Sequence, residues 1–125
     1  KEKKLIVVDY KAQSSNYPVT VSTYLDSKWH LSYKLQMDIY VHILRKMNLT
    51  VSDLSYFYVC NGEKTNERFD DKIDFITTLI PYKTNTSWVD KKLIEMKEVL
   101  NLTKPPNIEP ACEKCAYLRG GKDFF

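Results

Sequence analysis

The hydrophobic pattern of the chain opens with a short apolar run, Leu5-Ile6-Val7-Val8, that ends at Asp9. A nearly continuous apolar run of this length is typical of a strand buried on both faces, so the pattern predicts a central strand over residues 5–9. Polar residues 13–16 and then Pro18 interrupt the run. Residues 19–25 fit either a short strand or a ligand-facing loop.

Helical periodicity follows over residues 31–47, where neither glycine nor proline occurs. The apolar residues of one stripe recur three or four positions apart, which predicts an amphipathic helix. They are Leu35, Ile39, Ile43 and Met47. Residues 54–60 are aromatic and β-branched and precede Asn61-Gly62, so they predict a strand with a turn after it. Residues 73–80 predict the next strand, and an antiparallel pairing of the two fits, in a register that the sequence leaves open.

A second helix is predicted to begin near Ser87 and Asp90, which have the spacing of a capping box, and to run to about residue 101. Pro105-Pro106 prevent its continuation, and an irregular tail is expected after them. The order β, α, β, β, α predicts an α/β (α+β) domain with a mixed sheet flanked by helices. We assign residues 1–104 to this core and residues 105–125 to a tail that contains proline and cysteine.

Composition narrows the class of protein without identifying it. The 125 residues are 43% hydrophobic and 28% charged, which suits one globular domain, and we expect most aromatic side chains to lie in its core. The net charge of +3 comes from lysines scattered among acids, so charge alone does not indicate DNA. No apolar run approaches the ~20 residues that span a bilayer, and no leader pattern precedes Leu5. We therefore expect a cytoplasmic protein that does not contact membranes.

The candidate chemistry lies at the end of the first apolar run. In an extended strand Asp9 and Lys11 project from one face and Tyr10 from the other. Gln36 follows 25 residues after Lys11, and Tyr40 comes four residues later on the same helix face. Each of these residues also has an ordinary structural explanation. Asp9 and Lys11 could form a solvated ion pair, Gln36 could be an exposed amide, and Tyr40 could be a core aromatic residue.

Together, Asp9-Tyr10-Lys11 and the later Gln36 and Tyr40 resemble the signature of the RecB-like branch of the PD-(D/E)XK nuclease superfamily: a strand ending in (D/E)-x-K and a helix with Q-x-x-x-Y. The resemblance implies a restriction-endonuclease-like fold and DNA hydrolysis of an exonuclease-like kind that depends on Mg²⁺ or Mn²⁺. It implies that Asp9 and the main-chain carbonyl of Tyr10 hold the metal, while Lys11 orients or deprotonates the attacking water. Gln36 and Tyr40 would act near that water and the scissile phosphate.

One feature of the signature lies outside this sequence. The family's other metal-binding acid is an Asp on the strand before the D-x-K strand, but only residues 1–4 precede Leu5, and Glu2 is in the wrong position. We therefore expect the C-terminal part of a longer nuclease, without its N-terminal helix and first strands, that is inactive alone. The alternative is a non-catalytic module that binds DNA or a protein partner. A sheet that lacks its first strands would expose an edge through which two copies of the chain could pair.

Cys112 and Cys115 form a C-x-x-C pair after the prolines, a spacing that lets two thiolates reach one metal. Some RecB-like nucleases hold an iron–sulfur cluster with one upstream cysteine and three C-terminal ones, whereas here the C-terminal group has two. We favour free thiols over an iron–sulfur cluster or zinc, and either of these over a disulfide. Cys60, in an apolar strand, is expected to be buried and inert.

Overall fold

The computed structural model describes residues 3–65 and 71–120 of the chain. The chain divides into two compact units, Lys1–Val89 and Asp90–Phe125. The first unit contains the sheet and the helices that carry the candidate chemistry.

A mixed three-stranded sheet organises the first unit. Its strands are β1 (Val8–Gln13), β2 (Leu54–Gly62) and β3 (Phe75–Lys83), in the order β1-β2-β3. β1 pairs with β2 in parallel and β2 pairs with β3 antiparallel, as the sequence predicts for the second pair. An isolated bridge between Leu5 and Val51 extends the parallel ladder before β1. The predicted α+β class with a mixed sheet is confirmed.

The prediction of a central strand over residues 5–9 is wrong for the part of the chain that the structure describes. β2 lies between two strands, and β1 lies at one edge. Val8 and Tyr10 are 56% and 60% exposed on the outer face of the sheet. The apolar run is misleading because most of it precedes β1, and within β1 the residues alternate between exposed and half-buried. Pairing of copies through the open edge of β1 remains a prediction.

The connection after β1 contains a short helix where the sequence left strand or loop open. α1 spans Val21–Leu25, and a capping box starts it: Thr23 N–H donates to the Thr20 hydroxyl, and Thr20 N–H donates to the Thr23 hydroxyl. A 3-10 helix, Lys28–His30, then leads directly into α2, Leu31–Lys46. The predicted helix over residues 31–47 is confirmed.

α1 and α2 cover the inner face of the sheet. The buried cluster at their contact consists of Tyr24, Met37, Phe57, Val59 and Ile80. On α2 the buried side chains are Met37, Asp38 and Val41. The predicted apolar stripe therefore identified the helix but not its buried face. Its four members are between 37% and 63% exposed: Leu35, Ile39, Ile43 and Met47.

A buried carboxylate fixes α2 to the end of β3. Asp38 is 4% exposed. Its Oδ1 accepts hydrogen bonds from the Tyr82 hydroxyl (3.1 Å) and the Asn85 N–H (2.9 Å), and its Oδ2 accepts one from Trp88 Nε1 (3.0 Å). Burial, together with the Asp38 carboxylate, raises the pKa of Tyr82 to about 12. The network holds the helix that carries Gln36 against the sheet.

The predicted turn at Asn61-Gly62 is wrong, because both residues belong to β2. The Asn61 side chain fastens the loop after β1: it accepts from Ser15 N–H (2.8 Å) and donates to the Ser15 carbonyl (3.1 Å). An amide side chain offers a donor and an acceptor together, which suits backbone that has left the sheet. The polar residue that resembled a turn signal therefore stabilises a loop elsewhere in the chain.

The last two helices are α3 (Val89–Leu100) and α4 (Glu113–Gly120). α3 confirms the predicted second helix, and the capping pair of Ser87 and Asp90 stays a prediction. The expectation of an irregular tail is wrong, since α4 begins immediately after Cys112. Residues 113–119 contain neither glycine nor proline and are mostly good helix formers. The division into residues 1–104 and 105–125 remains a prediction. Among the described residues, none of the helices combines the length and apolar character needed to cross a membrane.

Candidate active site

The candidate site lies on the inner face of β1. Asp9 and Lys11 both point to this face, and Tyr10 points to the other. Lys11 Nζ lies 2.9 Å from Asp9 Oδ2, and the two side chains are 17% and 15% exposed respectively. This pair is too shielded from solvent to count as an ordinary surface ion pair, whose contribution is usually small.

α2 brings the second half of the predicted set to the same place. Lys11 Nζ donates to Gln36 Oε1 (2.7 Å), and Gln36 Nε2 donates to the Tyr40 hydroxyl (2.6 Å). Asp9, Lys11, Gln36 and Tyr40 thus form one continuous series of contacts, although β1 and α2 are separated by a loop, a short helix and a 3-10 helix. Gln36 orients the lysine and is itself oriented by Tyr40.

Tyr33 is a member of this site that the sequence analysis missed. Lys11 Nζ lies over its ring, 4.4 Å from the centroid, a distance suited to a cation–π contact. Tyr33 precedes Gln36 by three residues and Tyr40 by seven, so all three lie on one face of α2. This spacing could have shown that Tyr33 belongs to the site.

Asp9 retains an oxygen suited to a metal ion. Asp9 Oδ2 is buried and has no aligned hydrogen bond within the described ranges, because its contact with Lys11 supplies charge without hydrogen-bond geometry. A hard, negatively charged oxygen of this kind fits Mg²⁺ or Mn²⁺. The same part of the chain holds no group of three or more His, Cys, Asp or Glu side chains that could bind a metal. The site therefore offers one carboxylate rather than a complete cage.

The main-chain carbonyl of Tyr10 is the second predicted ligand. Leu5 and Val7 direct their carbonyls toward the β2 side of the ladder, to Ser52 N–H and Tyr56 N–H respectively. Because strand residues alternate in the direction of their backbone groups, Asp9 and Lys11 continue this pattern and Tyr10 directs its carbonyl toward the open edge. The Tyr10 side chain lies on the outer face, where its hydrogen bond with the Cys60 thiol raises its pKa.

Aromatic side chains from α1, the 3-10 helix and the start of α2 pack together beside Asp9. Tyr24 is 2% exposed, and its hydroxyl lacks a hydrogen-bond partner in the described part of the chain. Burial is the main cause of its raised pKa, with smaller contributions from Tyr33 and Asp9. His30 Nδ1 donates to the Tyr24 carbonyl (2.8 Å), and the His30 ring stacks on Tyr33 at 5.3 Å. These ring contacts link the site to α1.

The cysteine pair belongs to the second unit. Cys112 lies immediately before α4. Its thiol and the Cys115 thiol share a hydrogen bond (Sγ to Sγ 2.9 Å), and its sulfur accepts from the Cys115 N–H (3.3 Å). The contact between the two thiols, followed by the bond from the Cys115 backbone, lowers the pKa of Cys112, and the contact between the thiols raises the pKa of Cys115. Both are free thiols, as is the buried Cys60.

Comparison with known proteins gives one match. The model of the PD-(D/E)XK nuclease superfamily matches residues 1–119. No curated protein and no solved structure matches the chain. The mixed sheet flanked by helices is consistent with the restriction-endonuclease-like fold. The match covers the superfamily as a whole, which is broader than the RecB-like branch.

Proposed function

The chain belongs to the PD-(D/E)XK nuclease superfamily, and from this premise we propose that it serves in metal-dependent hydrolysis of DNA. The observation that carries the proposal is the series of contacts from Asp9 through Lys11 and Gln36 to Tyr40. A RecB-related, exonuclease-like activity is part of the same proposal. The RecB-related part is supported by the hydrogen bond between Gln36 and Tyr40, because these two residues correspond to the Q-x-x-x-Y motif of the RecB-like branch.

In this proposal Asp9 Oδ2 and the Tyr10 carbonyl hold the metal. A bound Mg²⁺ or Mn²⁺ supplies a water made nucleophilic near neutral pH and a counter-charge for the phosphate. Because Mg²⁺ is commonly held by one or two carboxylates together with substrate phosphate oxygens, a single carboxylate suits joint binding with DNA better than tight binding alone.

Lys11 contributes a positive charge whose position is fixed. The ammonium has three N–H donors, and Gln36 Oε1 accepts one of them. At least one further N–H is available to a water or to a phosphate oxygen. A charge already held in place by Asp9, Gln36 and the Tyr33 ring requires no reorganisation as negative charge develops on the phosphate, which is the condition for effective electrostatic stabilisation.

Gln36 and Tyr40 position groups around Lys11. The Gln36 amide uses its oxygen for Lys11 and one N–H for Tyr40, so its second N–H is free for substrate or water. Tyr40 accepts the bond from Gln36, which leaves its own hydroxyl proton to donate. We propose that both act on oxygens of the scissile phosphate or the attacking water.

A manganese titration tests the proposed metal ligands. Mn²⁺ added to the ¹⁵N-labelled 125-residue chain should broaden the amide signals of residues near Asp9 and Tyr10. Asp9→Asn should remove this broadening, whereas Asp53→Asn, at a carboxylate that pairs with Arg45, should leave it unchanged. Broadening centred elsewhere, or broadening that persists in Asp9→Asn, would contradict the assignment.

A second candidate function is a non-catalytic module that binds DNA or a protein. It is favoured by the single carboxylate, since among the described residues no larger metal-binding group occurs. For the same reason we propose that the 125-residue chain does not cut DNA by itself in Mg²⁺. Cutting by this chain that is lost in Asp9→Ala would show this last point to be wrong. Extending the protein upstream separates the two functions: an added strand bearing Asp restores cutting if the protein is an enzyme and does not if it is a binding module.

A further inference from the structure

A groove opens on the first unit beside the proposed site. Its volume is about 690 Å³, within the range of about 300–1,000 Å³ that is typical of small-ligand sites. The loop after β1 forms one side of it, and α1 with the 3-10 helix forms the other. The proposed mechanism uses none of the residues at its rim.

Two large aromatic rings of the groove are exposed. Tyr17, in the loop, and Trp29, in the 3-10 helix, line the groove, and each is 77% exposed. Lys28 Nζ lies 4.9 Å from the centroid of the Trp29 ring. Most tyrosines and tryptophans have one end buried because they contribute large apolar surfaces to folding. An exposed Trp and an exposed Tyr at one groove are therefore surfaces available to a flat ligand.

Three residues that line the groove lie near members of the proposed site. Gln13 lines the groove and lies on the same face of β1 as Lys11, about 7 Å further along the strand at ~3.3 Å per residue. Tyr24 also lines it, and Asp9 is close enough to Tyr24 to contribute to its raised pKa. His30, a third lining residue, stacks on the ring of Tyr33 that lies beneath Lys11. A polymer seated in the groove would therefore have its next units close to Lys11.

The polar lining selects bases rather than phosphates. Among the described residues that line the groove, Asp26 is the one formally charged side chain, and Ser15, Ser22 and Thr23 add hydroxyl groups to the lining. A carboxylate repels phosphate but accepts hydrogen bonds from the N–H groups of unpaired bases, either an exocyclic amino group or the ring N3–H of thymine. A base also needs an uncovered face to stack on an aromatic ring, which duplex DNA does not offer.

We propose that this groove is a base-stacking subsite in which Trp29 and Tyr17 hold unpaired bases of a single-stranded DNA segment whose backbone continues to Asp9 and Lys11. The inference rests on the proposed DNA-hydrolysing function and specifies the form of its substrate. A single strand and the separated end of a duplex both meet the requirement, which is an unpaired base.

Binding without cutting tests the subsite. Fluorescence anisotropy of a labelled oligothymidine is measured with the 125-residue chain in EDTA, so that hydrolysis does not contribute. Trp29→Ala and Tyr17→Ala should each weaken binding by about 5- to 150-fold, the range found when base-stacking aromatics are replaced by alanine. Trp29→Phe should retain most of the affinity. Tyr117→Ala, which removes an 82% exposed tyrosine on α4, is the matched control and should bind like the wild type.

The same assay with an abasic oligonucleotide separates base contacts from backbone contacts. Wild-type affinity for the abasic strand should fall at least as far as the affinity of Trp29→Ala for oligothymidine, because an abasic strand loses the contacts with both rings. The proposal is overturned if the wild type does not bind oligothymidine, if Trp29→Ala and Tyr17→Ala bind like Tyr117→Ala, or if the abasic strand binds equally well. Weaker binding by both variants, together with no metal-dependent cutting by the chain after an Asp-bearing strand is added upstream, would support the subsite and count against the nuclease function. Metal-dependent cutting by that extended protein that is unaffected by either substitution would support the nuclease function and count against the subsite.

Discussion

Asp38→Asn should be the most destabilising of the isosteric substitutions near the site. The carboxylate accepts three hydrogen bonds at 2.9–3.1 Å while 4% exposed. Asparagine keeps one oxygen, which can still serve Tyr82 and Asn85, but turns its NH₂ toward Trp88 Nε1. One buried charge-assisted bond is then lost, worth about 1.5–3 kcal/mol, and the two others lose about 1 kcal/mol each of charge assistance. Relief of the buried charge offsets part of this, so we expect a net loss of about 2–4 kcal/mol from a total stability of ~5–15 kcal/mol.

Urea unfolding followed by far-UV circular dichroism measures this loss, with an unchanged m-value as the sign that the unfolded state is not altered. Asp53→Asn is the control, since the Asp53 side chain is 72% exposed and its pair with Arg45 should contribute less than about 1 kcal/mol. Trp88→Phe removes the N–H that faces the NH₂ of the new asparagine. The double variant, Asp38→Asn with Trp88→Phe, should therefore lose less unfolding free energy than the sum of the losses of the two single variants. Equal losses for Asp38→Asn and Asp53→Asn, or strict additivity with Trp88→Phe, would refute the reasoning.

Two further predictions concern titrating groups. Because the pKa of Tyr82 is raised from 10.0 to about 12, its neutral form favours folding, and this contribution, complete below pH 10, should be lost as pH rises toward 12. Urea midpoints measured across that interval should fall less steeply in Tyr82→Phe, and identical slopes would count against the effect. Iodoacetamide near neutral pH should modify Cys112 before Cys115, because the thiolate is the reactive form and the pKa of Cys112 is lowered while that of Cys115 is raised. Cys60, in the first unit, should react last because it is buried, with 8% exposure. Peptide mass spectrometry checks the order, and faster modification of Cys115 would contradict it.

The parts of the site that could be predicted from sequence are those set by local geometry. The pleat of a strand puts Asp9 and Lys11 on one face, and the turn of a helix does the same for Gln36 and Tyr40. These relations need no knowledge of the rest of the fold. The amphipathic period of α2 likewise identified a helix within one residue of its observed end.

The parts that could not be predicted depend on contacts between distant segments. The order of strands is set by tertiary pairing, so the apolar run before Asp9 did not reveal that β1 lies at an edge. Asn61 resembled a turn residue because the loop that it stabilises, at Ser15, is 46 residues away. The burial of Asp38 within an amphipathic helix also depends on donors from β3 and the following loop. The hydrophobic periodicity of a strand or helix does not reveal such contacts between distant segments.

The most direct test of the central claim is the rate at which the chain, after an Asp-bearing strand is added before Lys1, degrades end-labelled DNA in Mg²⁺ or Mn²⁺, with Asp9→Ala and Lys11→Ala measured beside it. The proposal predicts degradation that EDTA abolishes and that each substitution slows by at least about 100-fold, the usual cost of removing a preorganised electrostatic group. Asp53→Ala should match the wild type. Metal-dependent degradation that continues at the wild-type rate in both Asp9→Ala and Lys11→Ala would contradict the claim that these residues form the active site.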